Sequence, residues 1–334
     1  MTENAADFKA RLIRRAGLSE AAVDAAWPEW WSDAAEASPS ANAELRFTLA
    51  RKLGLDPRSL MGKGQPKFIW DDSARFKGFS GDPSGERPIL SSFGMALCRM
   101  LLGAVPDAIP VEPISALRLR KSILSGRQDI GLLELLSTAW AMGIPVIHLR
   151  VYPLTAKRMS AMSVRLGERF AILVARDAMY PAPVAFHVAH ELGHIFLGHL
   201  QDGHSIVDLE SIDELSSGAD PEEQAADAYA LELLTGRPSP EVVVEGPGAG
   251  ARQLANEAIR VGQIEHIEPG TLAMVYGHAT KAWPTAMASL RHIYGQPMDA
   301  WRVINQVALR QLDLSQLNDE SEAFVRAVMG ATHG

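Results

Sequence analysis

The segment AFHVAHELGHIFLGHL, residues 185–200, carries four of the chain's ten histidines and one glutamate in an otherwise apolar run. On a helix each residue turns by about 100°, so His190 and His194 stand one turn apart on one face and both imidazoles can reach a common ion. Glu191 projects from the same side, placed for a water beside the ion rather than for the ion itself. This is the H-E-x-x-H arrangement. Zinc held by neutral imidazoles keeps an open position, lowers the pKa of a water towards neutrality and polarises a carbonyl. The neighbouring carboxylate takes the proton from that water and passes it to a leaving amine. The chemistry would be peptide hydrolysis. A helix with two merely satisfied histidines is the competing explanation; the apolar flanks and the cost of burying unpaired imidazoles speak against it.

The other two histidines sort by angle. His199 follows His194 by five residues, about 140° round the helix, and cannot share the ion if the helix continues. The extended zincin pattern wants a third histidine six residues after the second, and that position is Leu200. His187, three residues before His190, lies about 60° off the same face and is expected at the rim or behind the ligands.

A catalytic zinc site needs a third protein ligand. DPEEQAADAYALELLTG, residues 220–236, starts as a helix at Asp220-Pro221 and carries Ala226, Tyr229, Ala230, Leu233 and Leu234 as an apolar face. Glu223 and Asp227 share another face. Glu223 would complete a His, His, Glu set, and Asp227 could accept the free ring N–H of a ligating histidine. Glu222 is the alternative ligand, about 100° from Glu223 and with no acid four residues on. An acidic first turn favoured by the helix dipole would account for these acids with no metal at all.

The elements that must position these residues begin near 129. DIGLLELLSTAWAMGIP reads as a helix with Leu132, Leu135, Leu136 and Trp140 on one side, closed by Gly143 and Pro145. VIHLRVY reads as a strand. Two β-rich runs, SVRL and RFAILVA, meet at Gly167-Glu168 as a hairpin, and RDAMYPAP leads by a proline start into the histidine helix. Helix, strand, hairpin and helix in that order belong to an α+β domain with a small sheet.

Taken together, RLGERFAILVARDAMYPAPVAFHVAHELGHIFLGH and EEQAADAYALELLTG resemble the ImmA/IrrE family of zinc metallopeptidases over about residues 130–236. The resemblance implies a gluzincin-like site with His190, His194 and Glu223 as zinc ligands and Glu191 as the catalytic glutamate. It also implies a zincin-like catalytic domain whose small sheet contains antiparallel strands, flanked by helical N- and C-terminal domains. The chain departs from the family at Asp227, where asparagine is common, at Tyr229, where phenylalanine is common, and at Thr235-Gly236-Arg237-Pro238. The implied substrate is a basic DNA-binding regulator, an XRE-type repressor or an antitoxin, cleaved in a stress response or a toxin–antitoxin system.

The expected organisation is an N-terminal helical domain over 1–64, linker and connecting helices over 65–128, the metallopeptidase domain over 129–236 and a C-terminal helical domain over 237–334. Within the first, LARKLGLDPRSL resembles the end of an XRE-type helix-turn-helix, after a helix starting at Ser38 or Ser40 and stopping at Gly54. In ALRLRKSIL, Arg118, Arg120 and Lys121 are expected on a solvated face. His266, His278 and His292 have no paired spacing and read as structural or surface residues.

Composition narrows the partners. Hydrophobic residues at 47% and charged residues at 22% are ordinary globular values. A net charge of −8 argues against broad nucleic-acid or anionic-membrane binding. Residues 199–223 hold eight acids and no Lys or Arg, a run that reads as a solvated loop and would favour a basic partner if it bordered the cleft. The single cysteine, Cys98, allows neither a disulfide nor a cysteine zinc site and reads as a buried small hydrophobe. With no signal-peptide pattern and no run of about 18 apolar residues, the cytoplasm is the expected compartment. Two alternatives stay open: a non-cleaving sensor that sequesters a regulator, and direct DNA binding through residues 1–64.

Overall fold

The computed structural model describes residues 3–70, 74–77, 85–106, 110–156, 159–209, 220–240 and 250–331. Among them lie five short strands, β1 (Ala74–Lys77), β2 (Val146–His148), β3 (Met159–Leu166), β4 (Arg169–Val174) and β5 (Ser205–Leu209), with helices making up most of the rest. The strands form one small mixed sheet in the order β1-β5-β3-β4-β2, so the fold is α+β. No helix among the described residues is long and apolar enough to cross a membrane.

Local chemistry explains the principal elements. Gly167 takes φ 62° between β3 and β4, a left-handed conformation that costs glycine little, and the two strands pair antiparallel from Leu166–Arg169 to Ala161–Val174. The helix Pro39–Leu53 is capped by the Ser38 side chain and ended by Gly54 at φ 71°. Gly54 admits no side chain, since a Cβ there would fall 2.2 Å from the Ser92 carbonyl oxygen. Helix Pro181–Phe196 starts with proline at its first turn, where a missing N–H costs nothing.

The sheet is covered on both faces, which is why β3 and β4 are buried almost throughout. Successive strand residues point to opposite sides. Met162 of β3 meets helix Arg87–Gly103 at Gly94, and Ser163 faces helix Pro181–Phe196 at Glu191. Residues directly opposite in an antiparallel pair share a face. Ser163 lies opposite Ile206 and Ala161 opposite Asp208, so Asp208 of β5 stands on the same face as the histidine helix.

One hydrophobic core runs from Phe8 to Met329 and takes in the sheet, the histidine helix and the N-terminal helices. Helix Arg87–Gly103, within the stretch expected to be linker and connecting helices, is buried along most of its length against the sheet. The C-terminal residues divide: helices between 251 and 294 enclose two small clusters around Leu254, Leu290 and Ile267, whereas Ile304, Phe324 and Val328 join the main core.

Arg120 corrects an expectation. Its side chain is buried, not solvated, and donates to the carbonyls of Leu233, Leu234, Glu265 and His266. Two helices, Pro221–Thr235 and Ala251–Glu265, end there with carbonyls that have no partner within the helix, and one guanidinium with five donors serves both. Arg118 and Lys121 are exposed.

Candidate metal centre

Helix Pro181–Phe196 is buried on nearly every side, and two of its polar residues, His190 and His194, meet on one face. The Nε2 atoms of His190 and His194 lie 3.0 Å apart. Helix Pro221–Thr235 crosses beside it, and the approach depends on Gly193: a Cβ there would sit 3.2 Å from the Ala226 carbonyl oxygen and 3.3 Å from its Cα. Asp220 caps this second helix by accepting from the Glu222 N–H. Glu223, in the first turn, then extends across both imidazoles, with Oε1 3.1 Å from His194 Nε2 and Oε2 3.4 Å from His190 Nε2. Glu222 turns away to Arg75, at 2.8 and 3.1 Å.

A fourth donor comes from the sheet. Asp208 Oδ2 lies 3.4 Å from His190 Nε2, and one ligand atom from each of His190, His194, Asp208 and Glu223 lies within 4.8 Å of the others. These four residues could hold a metal ion. The spacing suits it: donors about 2.0–2.2 Å from a tetrahedral ion stand roughly 3.3 Å from one another. The contacts His190–His194, His190–Asp208, His190–Glu223 and His194–Glu223 run from 3.0 to 3.4 Å, the last two through different Glu223 oxygens, and the remaining pairs lie within 4.8 Å.

The far nitrogens of both rings are also held. Asp227 Oδ1 lies 2.8 Å from His190 Nδ1, and His199 Nδ1 lies 2.8 Å from His194 Nδ1. A carboxylate on Nδ1 fixes the tautomer that offers Nε2 to an ion. His199 reaches His194 because the helix ends at Phe196 and Gly198, at φ 75°, reverses the chain. The premise of a continuing helix therefore fails, and His199 is a neighbour of the cluster though not a member of it. His187 stays outside the cluster, half-buried, with Phe186 and His190 on its own helix and the charge of Arg176 nearby. Burial, then Arg176 and His190, press its pKa down to about 3, so it is neutral at ordinary pH.

Glu191 is fully buried and neither of its carboxylate oxygens has a hydrogen-bond partner among the described residues. Burial first, then the charges of Asp208 and Glu223, raise its pKa well above the usual carboxylate range, while His190 and Ser163 act in the opposite sense. Burial opposes a charge on His190, but Asp208, Asp227, Glu223 and Glu191 outweigh it and raise that pKa well above the usual histidine value. An unpartnered buried carboxylate is costly. The cost is understandable where a cation is to sit among these groups, since a divalent charge offsets the crowding of acids.

Sequence reasoning overlooked Asp208 and the contact made by His199. The signal for Asp208 was an acid in the short β-branched run SIVDL; it was absorbed into a stretch read as a loop. Residues 210–219 of that stretch lie outside the described residues. Compared with protein-family models, curated proteins and solved structures, the chain finds no match.

Proposed function

We propose that this protein is a zinc-dependent endopeptidase with a zincin-like catalytic core, acting on a basic regulatory protein such as an XRE-type repressor or an antitoxin. The observation that carries the proposal is the convergence of His190, His194 and Glu223 beside a buried, unpartnered Glu191. Two nitrogen donors and a carboxylate are the donor set of a catalytic zinc site, and the carboxylate one residue after the first histidine is where its general base stands. The resemblance of 130–236 to the ImmA/IrrE family supports the same reading and supplies the substrate class.

When bound, zinc would supply Lewis acidity towards a peptide carbonyl and make a water acidic enough to lose a proton near neutral pH. The chain's own residues do the rest. Asp227 holds the His190 ring in one orientation, and His199 meets the far nitrogen of His194. Glu191 takes the water's proton on its carboxylate and delivers it to the leaving amide nitrogen. Burial, with the charges of Asp208 and Glu223, raises its basicity in the direction that such a transfer needs.

One observation favours a second reading, a metal-loaded module that sequesters a regulator without cutting it: Asp208 brings the donors to four. Mass spectrometry of a candidate XRE-type regulator, incubated with wild type and with Glu191→Gln, separates the two. Discrete fragments with wild type and none with Glu191→Gln support the peptidase. An intact regulator in stable complex with both would leave the module.

A further inference from the structure

We infer that Asp208 is a fourth protein ligand that closes the coordination shell in this conformation, so that the resting site admits neither water nor a substrate carbonyl until Asp208 withdraws. Its meaning as latency rests on the peptidase reading above; its basis is geometric. Asp208 Oδ2 stands 3.4 Å from His190 Nε2, the same separation that Glu223 Oε2 keeps from that nitrogen. A ligand atom of Asp208 lies within 4.8 Å of those offered by His194 and Glu223 as well. Structural zinc sites use four protein ligands, whereas catalytic ones use three and keep a position open. With Asp208 the count here is four, and two carboxylates balance the ion's two charges.

Glu191 gives a second, independent observation. Its side chain is fully buried next to Asp208 and Glu223, whose charges act on it, and neither of its oxygens has a hydrogen-bond partner among the described residues. The arrangement is built into the sheet. Asp208 lies opposite Ala161 of β3 and beside Lys77 of β1, so its backbone is held on both sides. The other three donors come from the two packed helices. Opening the shell therefore requires a turn of the Asp208 side chain or a shift of β5, while His190, His194 and Glu223 keep their places.

The test uses the full chain with two probes that need no knowledge of the substrate. Zinc affinity is measured by chelator competition for wild type, Asp208→Asn and Asp208→Ala. The same proteins loaded with Co2+ are titrated with acetohydroxamate, which binds only where a coordination position is open, and the visible spectrum is followed. Wild type should hold zinc at least tenfold more tightly than Asp208→Ala, a ligand's loss being no smaller than the loss of a group behind one. Acetohydroxamate should shift the spectrum of Asp208→Ala at concentrations that leave wild type unchanged. Asp208→Asn, nearly the same shape, should follow Asp208→Ala in affinity and guards against a folding defect in the smaller variant. Equal zinc affinity in all three proteins, with wild type responding fully to acetohydroxamate, overturns the inference. Should the metal results come out as expected while no variant cuts any regulator, the fourth ligand stands and the peptidase reading falls. Cutting by wild type together with unchanged affinity in both variants gives the reverse.

Discussion

Replacing Gly193 by alanine sets two effects of opposite sign against each other at the contact that brings the ligand helices together. In a helix interior alanine is favoured over glycine by about 1 kcal/mol. Against this, the new Cβ would meet the Ala226 carbonyl oxygen and the Tyr229 Cβ at 3.2 Å, and the Ala226 Cα at 3.3 Å. Two of these atoms are backbone and cannot rotate away, so helix Pro221–Thr235 must yield by a few tenths of an ångström. Overpacking of this kind costs roughly 1–3 kcal/mol. The balance is a loss of about 1 kcal/mol, read by urea unfolding of the metal-free protein. Glu223 sits one turn from Ala226 on the displaced helix, and metal–ligand distances tolerate about 0.2 Å. Zinc affinity should therefore fall by about tenfold, measured by chelator competition. A Gly193→Ala protein that is more stable by about 1 kcal/mol and binds zinc as wild type does would refute the close-approach argument.

Three further outcomes follow from particular contacts. Glu223→Ala should lose zinc on dialysis while Glu222→Ala keeps it, because Glu222 is engaged with Arg75 at the surface; metal analysis showing the reverse order would move the ligand to Glu222. Lys52 is almost fully buried, 2.6 Å from Glu320 and 3.1 Å from the Ala26 carbonyl oxygen, so Lys52→Ala should destabilise the fold by about 2 kcal/mol in urea. No measurable loss would mean that this tie between the N-terminal helices and the last helix carries no weight. Burial pushes the Cys98 thiol far up from its ordinary pKa, so the thiolate is absent across the usual range. Alkylation of the native protein should stay negligible from pH 7 to 10 and become fast in guanidinium; native labelling that rises through about pH 8.5 would contradict the burial.

The parts of the site that were legible in the sequence are those set by helical period. His190 and His194 are one turn apart whatever surrounds them, and Glu223 and Asp227 share a face for the same reason. Asp208 was not legible, because its direction depends on register: only the pairing of β5 with β3, distant in sequence, turns residue 208 to the side of the histidine helix. His199 depended on where a helix stops. Arg120 was misread because a charge in a short basic helix says nothing of the carbonyl ends that two other helices would bring to it. Helix Arg87–Gly103 carried an apolar segment in its sequence, yet the Gly- and Pro-rich residues before it suggested a connection and hid its place against the sheet.

The central claim, that zinc and Glu191 together cut a peptide bond, is tested most directly by pairing metal content with cleavage in one pair of proteins. Wild type and Glu191→Gln are loaded with zinc, dialysed, analysed for metal and incubated with a candidate XRE-type regulator, and new termini are counted by mass spectrometry. The account predicts one zinc per chain in both and, once Asp208 withdraws as the regulator binds, fragments from wild type alone. Equal cleavage by the two proteins, or a wild type that retains no zinc, would contradict it.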